Sequence, residues 1–315
     1  MGQLEEVACD ACGSKQVQMV VIRADDLRVV ECASCGLAFI NPRPKKEHLS
    51  KFYGESYFVG SDDAKDTGIG YNSYATFAIP WLKLRKSWEL EKIQQLMPLK
   101  GSRLLEIGCA TGELLALAHS RGALTMGVEI SEYAAQVAKE RYGLEVRVGD
   151  LEHLDIPAES FDIILALEVI EHVLSPRAFL KEIALFLAPG GLVVLSTPNY
   201  ACGRQLKEEW LGFRTSFEHL YFFTPEVLVH MAGSEGLDLL YWATAGSGKA
   251  APLQTRKKMK AWLQKIPGGV VLGQMVKLFK DLTAKDPWVK FGQGHRLLAF
   301  FKSRGQGNDL VFDNP

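Results

Sequence analysis

At 315 residues the chain has room for one domain of about 200 residues plus additions. Its 47% hydrophobic and 23% charged residues are the composition of an ordinary soluble globule, and no apolar run reaches the roughly 18–20 residues of a spanning helix. Met-Gly-Gln-Leu-Glu-Glu at the start has neither a basic lead nor an apolar core, which argues against a secretory leader and sets a cytoplasmic location as the expectation.

The first 50 residues carry two C-x-x-C pairs, Cys9-Asp-Ala-Cys12 and Cys32-Ala-Ser-Cys35, at the spacing of a four-thiolate zinc ribbon. Gly13 and Gly36 follow the pairs, as a tight knuckle turn requires when its amides point back at sulfur. Disulfides are the competing account; a chain without a leader, with Cys109 and Cys202 left over, argues against them. Four protein ligands leave no position for water, so the expected role of Cys9, Cys12, Cys32 and Cys35 is to hold a structural zinc ion. Residues 1–50 hold six Lys/Arg against seven Asp/Glu, which offers no electrostatic footprint for nucleic acid. The ribbon therefore reads as scaffold or as a wall of the substrate site. A second stretch, 51–98, is read as a helical and aromatic lid. In it Tyr71 and Tyr74 are candidate ligand contacts, with ordinary aromatic packing the equal alternative.

Residues 99–245 read as an α/β core. Leu104–Ile107 is a buried strand that enters a glycine turn and then an apolar-periodic helix, Leu114–Ala118. Gly108 and Gly112 remove side chains where a ligand must lie against backbone. A second short strand ends at Glu129, followed by Ile130, about 20 residues on, where such folds grip a ribose diol. The spacing Glu106-x-Gly108-x-x-x-Gly112 lacks the glycine triplet of dinucleotide folds, and Glu106 would repel a pyrophosphate. It suits a cationic ligand, and S-adenosylmethionine (SAM) carries a sulfonium and an amino group without phosphate. A strand–turn–helix with no ligand is the plainer alternative. Gly149-Asp150-Leu151 follows the apolar stretch Leu144–Val148. The strand Phe161–Leu167 opens into Glu168-Val169-Ile170-Glu171-His172-Val173, and Leu187-Ala188-Pro189-Gly190-Gly191 stops a helix before the strand Leu192–Ser196.

In this order and spacing the chain resembles class I SAM-dependent methyltransferases, whose first motif is E/D-x-G-x-G-x-G, with Ala110 in the place of the middle glycine. The resemblance implies a doubly wound, Rossmann-like seven-stranded sheet. It also implies SAM held by Glu106 and the backbone of Gly108, Cys109, Ala110 and Gly112, with Glu129 on the ribose, Asp150 and Leu151 at the adenine, and Glu168 nearby. Glu168–Val173 is similar to the E-H-V segment of ubiquinone-type methyltransferases. Gly36–Pro44 with Phe52-Tyr53 and Tyr57-Phe58 resembles bacterial methyltransferases acting on sugars, including deoxysugar C-methyltransferases, and relatives from surface-polysaccharide clusters. In that group the segment Gly70–Tyr74 lies over the SAM pocket, and an E-H pair after the fifth strand is tied to base chemistry. The matching pair here is Glu218-His219, but Ser216 stands where a tyrosine assists in those enzymes, and their extra C-terminal domain is missing. O-methylation is therefore favoured over C- or N-methylation. His219 with Glu218 is the leading candidate for the base, against a structural histidine; His172 is the rival, beside Glu171 and Glu168, which together suit a divalent ion as the quinone resemblance suggests.

The last region reads as a helical insert, 246–294, before a closing strand and tail, 295–315. Residues 246–304 hold 13 Lys/Arg and two acids, a net of +11, which leaves −12 on the rest of the chain. Met259, Trp262, Leu263 and Ile266, then Leu272, Met275, Val276, Phe279 and Leu282, recur at helical spacing around Pro267-Gly268-Gly269. Two basic amphipathic helices follow, lying on an anionic membrane face, aiming cations at a pyrophosphate-bearing substrate, or simply packed on the domain with lysines solvated. The expected partner is a small-molecule or glycan acceptor, with a polyprenyl-quinone lipid as the enzymatic alternative and nucleic acid disfavoured.

Overall fold

The computed structural model describes residues 4–46, 87–153, 155–214, 218–245, 289–290 and 294–304. Tyr71, Tyr74 and the two expected basic helices lie outside the described residues.

The ribbon comes first: β1 (Leu4–Glu5), β2 (Val17–Ile22), β3 (Arg28–Cys32), β4 (Ala38–Ile40) and β5 (Arg43–Pro44). Then α1 (Trp88–Leu96) leads into alternating elements: β6 (Arg103–Ile107), α2 (Glu113–Ser120), β7 (Leu124–Glu129), α3 (Glu132–Tyr142), β8 (Val146–Val148), β9 (Phe161–Leu167), α4 (Pro176–Phe186) and β10 (Leu187–Pro198). The chain continues through α5 (Tyr200–Leu206), α6 (Leu211–Arg214), β11 (Tyr221–Phe222), α7 (Pro225–Ser234), β12 (Leu237–Ala245), β13 (Val289–Lys290) and β14 (Arg296–Ser303).

The main sheet has the order β13-β12-β14-β10-β9-β6-β7-β8. The seven expected strands are joined at one edge by the two-residue β13, which pairs antiparallel with β12. β6 pairs parallel with both β7 and β9, and β9 with β10, while β14 runs antiparallel between β10 and β12. Strand order reverses across β6 and β9, so a crevice opens at their carboxyl ends, where open α/β sheets bind ligands. Both faces are covered, as a parallel sheet demands. On one side Leu90 and Ile93 of α1, Leu115 and Leu117 of α2 and Ala135 and Ala138 of α3 meet Leu104, Ile163 and Val194. On the other, Phe179 and Leu180 of α4 and Leu228 and Met231 of α7 meet Leu105, Ile164 and Val193. Helix starts are specified locally. The side chains of Ser131, Ser175 and Thr224 each accept an amide of the first turn, and Pro176 and Pro225 sit at the first helical position.

The ribbon builds its sheet with a borrowed strand. Its order is β11-β4-β3-β2, in which β11 comes from the core, with Tyr221 opposite Phe39 and Phe222 opposite Ala38. Ribbon residues Cys9, Val30, Leu37 and Phe39 pack with Leu220, Tyr221 and Val227 in one apolar cluster. Val29, Ala38 and Ile40 pack with Tyr200, Trp210, Phe213 and Phe222 in another. Polar ties reinforce the join: Asp10 accepts from the Ser175 hydroxyl (2.8 Å) and the Arg177 amide (2.7 Å), and Glu31 accepts from Tyr200 (2.8 Å) and Arg204 (3.0 Å).

Candidate functional site

The turn after β6 sits at the strand-order reversal. Gly108, Ala110 and Gly112 all adopt positive φ, +69°, +48° and +84°. The room left by the two glycines is filled by protein. A Cβ on Gly108 would lie 2.6 Å from Val169 Cγ2, and one on Gly112 would lie 2.8 Å from the Ala138 Cβ. The glycines thus let the turn close against the loop after β9 and against α3, a different reason from the ligand approach expected from sequence. Ala110 adopts the left-handed region without such crowding, at a cost of about 1 kcal/mol. The Cys109 side chain is buried. It turns inward so tightly that a Cβ on Gly127 would approach its Sγ at 2.6 Å.

Three carboxylates surround this turn. Glu129, at the end of β7, is buried and accepts the amides of Ala110 (2.8 Å) and Ser131 (2.9 Å). Burial raises its pKa, and the amides of Ser131 and Ala110 pull the other way. Glu106 has one oxygen with no hydrogen-bond donor, and burial, then the charges of Glu113 and Glu129, push it well above the usual carboxylate range. Glu113, which sequence reading passed over, accepts from the Thr111 hydroxyl (2.7 Å). Arg141 lies 3.8 Å from Glu113. Ile130 is 44% exposed beside it. Asp150 pairs with Lys46 at 3.2 Å and lies 3.7 Å from His153, while Leu151 is buried beneath it. Glu168, in the left-handed region at φ +57°, accepts from the Ser196 hydroxyl (2.8 Å) and lies 3.6 Å from Arg296.

The two histidine candidates, 47 positions apart in the sequence, form one cluster. Glu171 Oε1 lies 3.9 Å from Nε2 of His172 and 3.9 Å from Nε2 of His219, and the two rings meet edge to face with centroids 4.6 Å apart. Glu171 is 0% exposed, and neither of its oxygens has a hydrogen-bond donor. Burial, then the charge of Glu168, drives its pKa well up. Burial pushes His172 down to about 4 against the opposing pull of the Glu218 backbone, and holds His219 well below its usual value, helped by His172 and Arg23. Both imidazoles are therefore neutral near pH 7. Glu218 is buried next to this cluster in sequence. Glu168 belongs elsewhere: the group that converges is Glu171, His172 and His219, with donor atoms within 4.8 Å of one another.

In the ribbon, the sulfurs of Cys9, Cys12, Cys32 and Cys35 also lie within 4.8 Å of one another, with Cys9–Cys35 at 3.4 Å and Cys12–Cys32 at 3.5 Å. The edge of a tetrahedron with Zn–S of about 2.3 Å is roughly 3.8 Å, whereas a disulfide is about 2.05 Å. At Cys32 burial raises the thiol, but the amides of Cys35 and Ser34 overcome it and bring the value down to about 7. Cys35 is pushed up to about 11 by burial, and burial raises Cys9 as well.

Comparison with known proteins shows the family. A family model described as a methyltransferase domain matches residues 81–241. The chain belongs to this methyltransferase family. It is 33% identical over 163 residues to a ubiquinone biosynthesis O-methyltransferase of Coxiella burnetii, covering 48% of this chain and 70% of the relative. A ubiquinone biosynthesis O-methyltransferase of Bradyrhizobium diazoefficiens is 36% identical over 149 residues, 43% of this chain and 58% of the relative. Among solved structures, a SAM-dependent methyltransferase from Thermotoga maritima, named as a possible histamine N-methyltransferase, superposes with a TM-score of 0.48 at 21% identity, covering 68% of this chain and 87% of that one.

The methyltransferase is SAM-dependent, as its family is. Beside its glycine turn lie Glu106, Glu129 and Glu113, the last 3.8 Å from the guanidinium of Arg141.

Proposed function

We propose that this methyltransferase moves the SAM methyl group to a hydroxyl of a small-molecule or glycoconjugate acceptor. Glu171, His172 and His219 handle the hydroxyl proton, and the four ribbon cysteines hold a structural zinc ion. The observation that carries the reading is the convergence of those three side chains at the end of β9, the strand beside β6 and its turn. SAM supplies an electrophilic methyl on a cationic sulfur. Glu129 holds the ribose, Glu106 and the turn backbone hold the methionyl end, and Asp150 and Leu151 flank the adenine. His219, kept neutral, orients the acceptor oxygen and takes up its proton as the new bond forms. An acceptor bearing pyrophosphate, or one carried on an anionic membrane, is the partner we assign to the basic stretch 246–304. Among the described residues no helix is long and apolar enough to cross a membrane.

A phenolic hydroxyl, as in a polyprenyl-quinone type lipid, is the second reading, and two observations favour it. An imidazole depressed as far as His172 or His219 is a weak base. It is better matched to a phenol near pKa 10 than to a sugar alcohol several units higher. The relatives are also named as O-methyltransferases in ubiquinone biosynthesis. The orphaned Glu171 carboxylate with His172 and His219 also fits a divalent cation, which would acidify a hydroxyl bound to it.

The test is His219→Ala, assayed for methyl transfer from labelled SAM to a panel of catechols and sugars. Turnover should be abolished while SAM affinity, read by calorimetry, stays within about twofold; an active variant removes His219 from the chemistry. Transfer to sugars and not to catechols would overturn the phenolic reading.

A further inference from the structure

We propose that Arg23, in the ribbon, is a positioning residue for His219, fixing the backbone of the proposed base from beneath and making the ribbon part of the catalytic site. The inference rests on the reading of Glu171, His172 and His219 as the proton-handling cluster.

Arg23 stands directly after β2 and is 3% exposed, with a fully buried side chain. Its Nε and Nη2 fork onto Asp25 at 3.1 and 2.6 Å. The remaining arm, Nη1, donates to the His219 carbonyl at 3.0 Å, across 196 residues of sequence. Asp25 alone does not explain this placement. Its side chain keeps a quarter of its surface in water, so the same ion pair was available at the surface at little desolvation cost. What burial adds is the third contact. A guanidinium offers donors in a rigid fork, and with one face of this fork held by Asp25 the other is aimed at the His219 carbonyl.

The neighbouring backbone shows how completely the ribbon holds this stretch. The Ile40 amide donates to the Leu220 carbonyl at 2.9 Å, the link that opens the β4–β11 ladder. From the core side, the amides of Leu220 and Tyr221 donate to the Glu171 carbonyl at 2.8 and 3.2 Å. Ribbon donors therefore grip successive carbonyls of His219 and Leu220, and the next amides are tied to the backbone of Glu171 itself. The 3.9 Å approach of the His219 ring to the Glu171 carboxylate is set by these four bonds. Arg23 makes the one that falls on His219. Lysine keeps the charge but cannot hold Asp25 with two donors and the carbonyl with a third in one plane.

The experiment uses the full chain with 15N-labelled histidine. His219 ring signals in long-range imidazole spectra are those lost in His219→Gln. Arg23→Met should move the signals of His219 and its ring partner His172, leave His119 and His230 in place, and keep SAM affinity within about twofold. Arg23→Lys should restore the shifts only in part. If Arg23→Met does not fold, Asp25→Asn, which keeps the guanidinium but frees its fork, should produce the same shifts at smaller amplitude. Unmoved His219 signals in folded Arg23→Met, or in Asp25→Asn where that serves, would overturn the proposal, as would full restoration by lysine. Failure of the functional reading itself looks different: His219→Ala would remain active while the spectra still report the Arg23 contact.

Discussion

Glu129 is already gripped by two backbone amides, so in its proposed ribose-binding role its carboxylate would lose no rotamer freedom on meeting the ligand. Glu129→Ala takes away the proposed ribose acceptor and leaves the amides of Ala110 and Ser131 without their Glu129 partner. The expected loss in SAM affinity is about 1–3 kcal/mol, read by calorimetry; an unaltered constant would exclude Glu129 from the site. His172 makes a separate statement about acid. Its pKa falls from 6.5 to about 4 in the fold, so between those values the unfolded chain takes up a proton that the native chain refuses. Its contribution to stability is whole above pH 6.5 and shrinks as pH drops toward 4, by about 3 kcal/mol. Denaturant melts at pH 7 and pH 4.5 should therefore diverge less for His172→Gln than for the native chain, and equal divergence would count against the shift.

Among the elements, the β6–turn–α2 unit depends on how closely the turn meets the loop after β9. Gly108→Ala drives a methyl into Val169 Cγ2 and forces a side chain to φ +69°. A loss of about 1–3 kcal/mol in stability is expected. Adding Val169→Ala should relieve the clash and leave the backbone strain, so the double variant should recover only part of the loss in a thermal melt. Full recovery would show that φ imposes no penalty there. This unit was legible from the sequence because strand, glycine turn and periodic helix are contiguous, and the same holds for the four cysteines, whose spacing is their signal. What the sequence hid lies in pairs that only the fold brings together. His172 and His219 read as rivals because each follows a glutamate in its own segment, yet they share one carboxylate. β11 is two residues long within an apolar run, and its partner is in the ribbon. Arg23-Ala24-Asp25-Asp26 resembles a solvated turn, and nothing local marks Arg23 as buried.

For the molecule as a whole, the ribbon is not an appendage. Its two faces enter two different apolar clusters, each shared with elements beyond residue 199. If the four sulfurs hold the proposed zinc ion, removing it should loosen far more than the knuckles. With zinc stripped by a thiol-reactive mercurial and chelator, amide exchange should quicken at Ile40 and Tyr221. The amides of β6 and β9, buried in the parallel sheet, should keep their protection. Unchanged exchange at Ile40 would show that the four sulfurs do not brace the join.

The borrowed strand also bears on how the protein is made. Ala38 leaves the ribosome roughly 180 residues ahead of Phe222, its neighbour in the ladder. At ordinary rates of synthesis that is roughly 10–40 s during which β4 offers an open edge with no mate. The nascent amino-terminal half is therefore a species with its own hazards, exposed to wrong strand pairing until the segment bearing His219 arrives to close it. Arrival of the segment that bears His219 and closure of this edge are then a single event in the life of the chain.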